Sequence, residues 1–162
     1  MKTVGSLLAI LMCCGCVYDE PLVEEAVVSI DPALVGLWQK IPDEGKAEDL
    51  DSRLVILPFS KTEYIAVLSP GDQALYFRAY PIRFEDMELL QLEWLGAGSE
   101  ADGRYHVCRY TLEAGVFRVE TLSHDVVDAR IKDADSLRKA LVENLANPCL
   151  FDAPDCYQRL EE

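Results

Sequence analysis

The chain has 162 residues, with 29 acidic against 15 basic side chains and a formal net charge of −14. A surface this acidic is repelled by phosphate backbones and by anionic headgroups, which excludes nucleic acid as a partner. The length suits one domain with its own hydrophobic core.

The first sixteen residues have the layout of an export signal. Lys2 supplies a positive start, residues 4–12 are mostly apolar, and the small residue Gly15 stands directly before Cys16. The apolar run is too short to span a bilayer, which takes roughly 20 residues, before Tyr18, Asp19 and Glu20 arrive. Gly15-Cys16 resembles the processing site of bacterial lipoproteins. The resemblance implies a signal peptide over residues 1–15, cleavage after Gly15 and acyl chains on Cys16. Several such chains anchor stably where one does not. It also implies an extracytoplasmic position, at the outer membrane where the source is Gram-negative, because Val17 and not Asp follows Cys16. Two alternatives stand beside it. One is a cut before Cys14; the other is an ordinary secretory signal that leaves Cys16 without lipid. Residues 16–31, with Asp19, Glu20, Glu24 and Glu25, read as an acidic tether, although Val27-Val28-Ser29-Ile30 has the character of a segment that pairs onto the domain. The domain itself is placed at residues 32–162.

From Leu34 the hydrophobic period is mostly two. Strands are predicted at residues 34–40, 53–59, 63–68, 75–84, 89–95, 105–112 and 116–122, with a last strand at 156–160. Ser69-Pro70-Gly71-Asp72 and Glu113-Ala114-Gly115 are turn signals. Pro81 inside the fourth segment predicts a local edge or a bulge. In the sixth, His106, Cys108, Tyr110 and Leu112 share one face. One dry face and one wet face is the pattern of an antiparallel sheet. A single helix is predicted at about residues 133–147, with Asp133 as N-cap and Leu137, Leu141 and Leu145 in a stripe. The fold class is therefore mainly β: a small antiparallel barrel or strongly curved sheet with one C-terminal helix packed on it.

Beyond Cys16, three cysteines remain outside the signal. Cys149 and Cys156 flank a short, turn-like stretch and are the expected disulfide pair in an oxidising compartment. Cys108 is then either a buried thiol or a competitor for one of them. Zinc is disfavoured, because there is no C-x-x-C and neither histidine lies at ligand spacing.

The search for chemistry assigns no catalytic residue, no metal and no cofactor. Gly96-Ala97-Gly98-Ser99-Glu100-Ala101 has the dinucleotide pattern, but a strand follows it where a helix must open. His106 lies on an apolar strand face, and His124-Asp125 lies in a loop without a nucleophile in sequence. The acidic run around Asp43, Glu44, Glu48, Asp49 and Asp51 lacks the spacing of a calcium loop. Tyr64, Tyr80, Trp94, Tyr110 and Phe117 on strand faces suit either an apolar ligand pocket or an ordinary core.

Gly36-Leu37-Trp38 opens the first strand, and Arg159 stands on the last. This G-x-W, followed by antiparallel strands and a late helix, resembles the lipocalin and fatty-acid-binding barrels. The resemblance implies that Trp38 closes one end of a barrel and packs against Arg159. It also implies an interior that holds a small apolar or lipid-like molecule. The functional expectation is a lipid-anchored envelope protein that touches the membrane through its acyl chains and binds an apolar small molecule, without catalysis. The alternative is an envelope interaction protein with a filled core.

Overall fold

A computed structural model describes residues 18–43, 52–96 and 104–160. The signal, Cys16 and the acidic residues 44–51 lie outside the described residues, as does most of the Gly96–Ala101 motif. Within the described residues the chain forms a closed antiparallel barrel, each strand hydrogen-bonded to the next and the last to the first. The strands are β1 (Gly36–Lys40), β2 (Arg53–Pro58), β3 (Tyr64–Ser69), β4 (Leu75–Phe84), β5 (Met87–Trp94), β6 (Tyr105–Glu113), β7 (Val116–Thr121) and β8 (Asp155–Arg159). Trp38 stands opposite Arg159 where β1 meets β8 and completes the ring. Closure removes the free edges that an open sheet would expose.

The hairpins follow from local chemistry. Ala114 and Gly115 both take positive φ, 50° and 78°, between β6 and β7. This is what a two-residue turn with the right twist demands. Pro81 is accommodated because β4 outruns its neighbour. The last β3–β4 pair is Tyr64 with Ala79, while Pro81 pairs with Leu90 on β5. Pro81 therefore sits at a local edge, where a missing N–H breaks no ladder bond.

The link from β7 to β8 carries the single described α-helix, α1 (Ala134–Glu143). Asp133 caps it by accepting from the Ser136 backbone N–H at 2.8 Å. The helix ends earlier than the sequence predicts. Asn144 is its C-cap, and the Asn144 side chain donates to the Ala140 carbonyl at 2.8 Å. Leu137 and Leu141 are buried, whereas Leu145 is exposed.

There are two cores, on opposite sides of the same sheet. The inner one fills the barrel and includes Leu34, Trp38, Ile56, Tyr64, Leu90 and Phe117. The outer one lies on the outside of β4, β5 and β6, where α1 and the N-terminal segment cover Tyr80, Ile82, Leu89 and Val107. The expected acidic tether is thus part of the folded domain from Tyr18 onward. Tyr18 and Leu22 are buried. Gln91, itself fully buried, accepts from the Val23 N–H at 3.0 Å and donates to the Val23 carbonyl at 2.9 Å. Tyr80 donates to the same carbonyl at 2.9 Å. The acidic side chains concealed two apolar anchors, each of which contributes roughly 1.5–3 kcal/mol when fully buried.

Cys149 and Cys156 carry no disulfide, which corrects the expected pairing. The stretch between them is not a turn. Leu150 and Phe151 are buried, Phe151 bridges to Leu122, and the Asp152 N–H donates to the Thr121 carbonyl at 2.8 Å. Asp155 then pairs with Val119. The chain runs beside β7 from the Phe151–Leu122 bridge to the Cys156–Arg118 pair, so Phe151 and Cys156 are separated by about 13 Å at an ordinary strand rise. A disulfide needs Cα atoms within about 7 Å. Cys108 is buried on the inner face of β6.

Candidate functional site

The two ends of the barrel are built differently. At one end, a 3₁₀ turn (Pro32–Leu34) precedes β1 and tucks Leu34 into the interior. Trp38 is fully buried and donates from Nε1 to the Leu34 carbonyl at 3.0 Å. The Arg159 guanidinium lies over the Trp38 ring, 4.4 Å from its centroid. It donates to the Val35 carbonyl at 2.8 Å and also to the Ala33 carbonyl. Gly36 makes room for it: a Cβ there would fall 2.5 Å from Arg159 Nη1, and the backbone has φ +149°. The Gly and the Trp of G-x-W therefore serve one contact, the Gly by its absent side chain and the Trp by its ring face. Tyr64 seals the same end. Its hydroxyl accepts from the Asp31 N–H at 2.6 Å and donates to the Asp31 carbonyl at 3.0 Å. Burial pushes its pKa up to about 12, so the phenol stays protonated.

Beneath this closure the interior is not filled. A cavity of about 140 Å³ lies between the walls, lined by Leu54, Ile56, Ala66, Leu68, Leu90, Leu92 and others. Its origin is visible in the register. Ala66 faces Phe77, and Tyr64 faces Ala79, so two inward positions on adjacent strands carry only a methyl group. His106 contributes a ring to this wall. It packs edge-on against Phe77, with centroids 6.0 Å apart. Burial lowers its pKa to about 4, the cost of placing an imidazolium among apolar side chains. The ring is therefore neutral at ordinary pH, with one donor and one acceptor nitrogen. Thr121 and Cys108 stand opposite each other on the same wall. Asp155 also lines the cavity and is paired with Lys40 at 3.1 Å.

Of the five aromatic residues expected to form a pocket, Tyr64 and Phe117 line the cavity. Tyr80 does not. Strand alternation turns Ala79 inward and Tyr80 outward, into the core beneath the N-terminal segment. Trp94 ends β5 at the open end, its ring folded over Gly96, where a Cβ would fall 2.2 Å from it. Tyr110 faces inward but packs toward the sealed end, edge-on to Phe117 at 6.3 Å. There it also borders a surface groove formed with residues 27–31. His106, Ala66 and Ala79 were not among the expected pocket residues. Their sequence signal is a polar ring and two small side chains at inward positions of otherwise bulky strands.

The arrangement is suited to holding something small and apolar. His124 is exposed with Asp125 at 3.6 Å as its neighbour. Among the described residues, no three His, Cys, Asp or Glu side chains gather as a metal site would require. No family model, no curated protein and no solved structure matches the chain.

Proposed function

We propose that this is a lipid-anchored cell-envelope protein whose barrel binds a small apolar ligand. The cavity of about 140 Å³ inside the barrel carries the reading. An apolar void of about 150 Å³ is large enough for a molecule of benzene size, while drug-sized ligands occupy roughly 300 Å³ or more. The volume thus favours a single-ring or similarly small molecule over a full acyl chain. His106 offers it one hydrogen bond. Binding fits a wall made mostly of aliphatic and aromatic side chains. The anchor reading rests on the signal layout and on Cys16 after Gly15.

Native mass spectrometry of the protein purified from its own envelope tests this. A retained small molecule, lost in a variant whose cavity is filled by Ala66→Leu, is the expected result. A second reading, an envelope interaction protein, is favoured by Leu57 and Phe59, which stand 49 % and 66 % exposed at the sealed end. A co-purified partner chain with an empty barrel would decide for it.

A further inference from the structure

The position of Tyr18 fixes where a lipid on Cys16 would attach to the barrel. Tyr18 lies two residues after Cys16, and two residues reach at most about 7 Å. Tyr18 is not free to swing. Its N–H donates to the Tyr105 carbonyl at 2.8 Å, and its carbonyl accepts from the N–H groups of Arg104 and Tyr105 at 2.8 and 2.9 Å. Its hydroxyl donates to the Val127 carbonyl at 3.1 Å. All of this happens at the start of β6, on the rim of the unsealed end. The Glu113–Val116 turn at the far end of β6 is about 26 Å away along the strand.

The wall of β4 and β5 beside this rim carries exposed apolar side chains. Tyr76 and Leu95 are 50 % and 47 % exposed, and the Leu95 N–H donates to the Tyr76 carbonyl at 2.8 Å. Beside them the Trp94 N–H donates to the Arg104 carbonyl at 2.8 Å, which makes the rim continuous from Tyr76 to Tyr18. Amphipathic rings and scattered apolar side chains of this kind settle at the headgroup level of a bilayer. The charges near the root are mixed: Lys132 pairs with Asp19 at 2.7 Å, and Arg104 lies 3.6 Å from Glu93.

We propose that the anchor holds the barrel mouth-down, with the rim of Tyr76, Leu95 and Tyr105 against the headgroups of the bilayer. The part of the cavity lined by Leu92, His106 and Thr121 then lies on the membrane side and takes its ligand from the lipid phase, while the Trp38–Arg159 end faces the aqueous side. This rests on the acylation of Cys16 that is part of the proposed function.

The chain's two tryptophans stand at opposite ends, Trp94 on the rim and Trp38 under Arg159. That makes the orientation measurable. The full-length acylated chain is placed in phosphatidylcholine vesicles, with and without phosphatidylcholine brominated near the top of its acyl chains. Trp94 emission should fall at least about twofold, as expected of a ring at the interface, and Trp38 emission should hold. Trp94→Phe isolates Trp38, and Trp38→Phe isolates Trp94. Should the latter not fold, the wild type minus Trp94→Phe gives the Trp94 signal. Equal quenching of both rings, or quenching of Trp38 alone, overturns the orientation, as does an unquenched Trp94 in protein that floats with the vesicles. Protein that carries no lipid on Cys16 and does not float overturns the anchor reading itself, and the orientation with it.

Discussion

The sealed end and the open end of this barrel are made of the same strands but solve opposite problems. At the sealed end each large group has a partner. Trp38 donates to the Leu34 carbonyl, Tyr64 closes on both backbone groups of Asp31, and Arg159 covers the indole. Inside the barrel, beside Tyr64, the inward positions shrink to Ala66 and Ala79, and the void reaches from there to His106. The comparison teaches that closure and void share walls: Leu34, Tyr64 and Phe117 belong to the packed core and also line the cavity. Substitutions that remove the buried rings should unfold the protein, and substitutions that fill the void should empty it.

The largest effect is expected at Trp38. It is fully buried, and Trp38→Ala should cost about 3–5 kcal/mol, as for other buried aromatics cut to Ala. Urea unfolding measures it. A loss below about 1 kcal/mol would mean that the sealed end does not hold the barrel together.

His106 gives the next effect, through pH. Its folded pKa of about 4 lies below the ordinary 6.5. As the pH falls through 6.5 the unfolded chain takes up the proton first, so stability is intact above that pH and declines toward about 4. The slope is at most about 1.4 kcal/mol per pH unit. His106→Leu should flatten this window in a series of melts. A window unchanged in the variant would place its origin elsewhere.

Arg159→Ala should cost about 1–2 kcal/mol, from the cation–π contact and the packed stem together. Gly36→Ala should mimic it, because the new methyl displaces the same guanidinium. A double-mutant cycle between Trp38→Phe and Arg159→Ala isolates the coupling, and a value of zero would reduce the stacked pair to mere proximity. The smallest stability effect is expected from Ala66→Leu. It fills existing space, so stability should shift by less than about 1.5 kcal/mol while small-molecule uptake is lost, as titration with toluene would show. Uptake that survives the substitution would move the ligand site away from the cavity.

Much of the strand order was legible because alternation and turn chemistry are local. The β4 segment was placed at residues 75–84, and the turn at Ala114-Gly115 and the cap at Asp133 were recognised from residue type alone. The approach of Arg159 to Trp38 was an implication of the G-x-W resemblance and not of any local pattern; the guanidinium lies 4.4 Å from the ring centroid. What alternation could not say is which face of β4, β5 and β6 points inward. Both are apolar: Phe77 and Ala79 line the interior, whereas Tyr80 and Ile82 lie under the helix and the N-terminal segment. Tyr80 was therefore as plausible in a pocket as Tyr64.

The sequence by itself determined the antiparallel class, the hairpins and the helix with its Leu137 and Leu141 stripe. Each depends on contacts between near neighbours in the chain. The tertiary structure alone decided that Tyr18 and Leu22 belong to the domain, that Cys149 and Cys156 are free thiols, and that a void remains beside Ala66 and Ala79. Those outcomes depend on how distant segments fill or fail to fill shared space, and no local period records a volume.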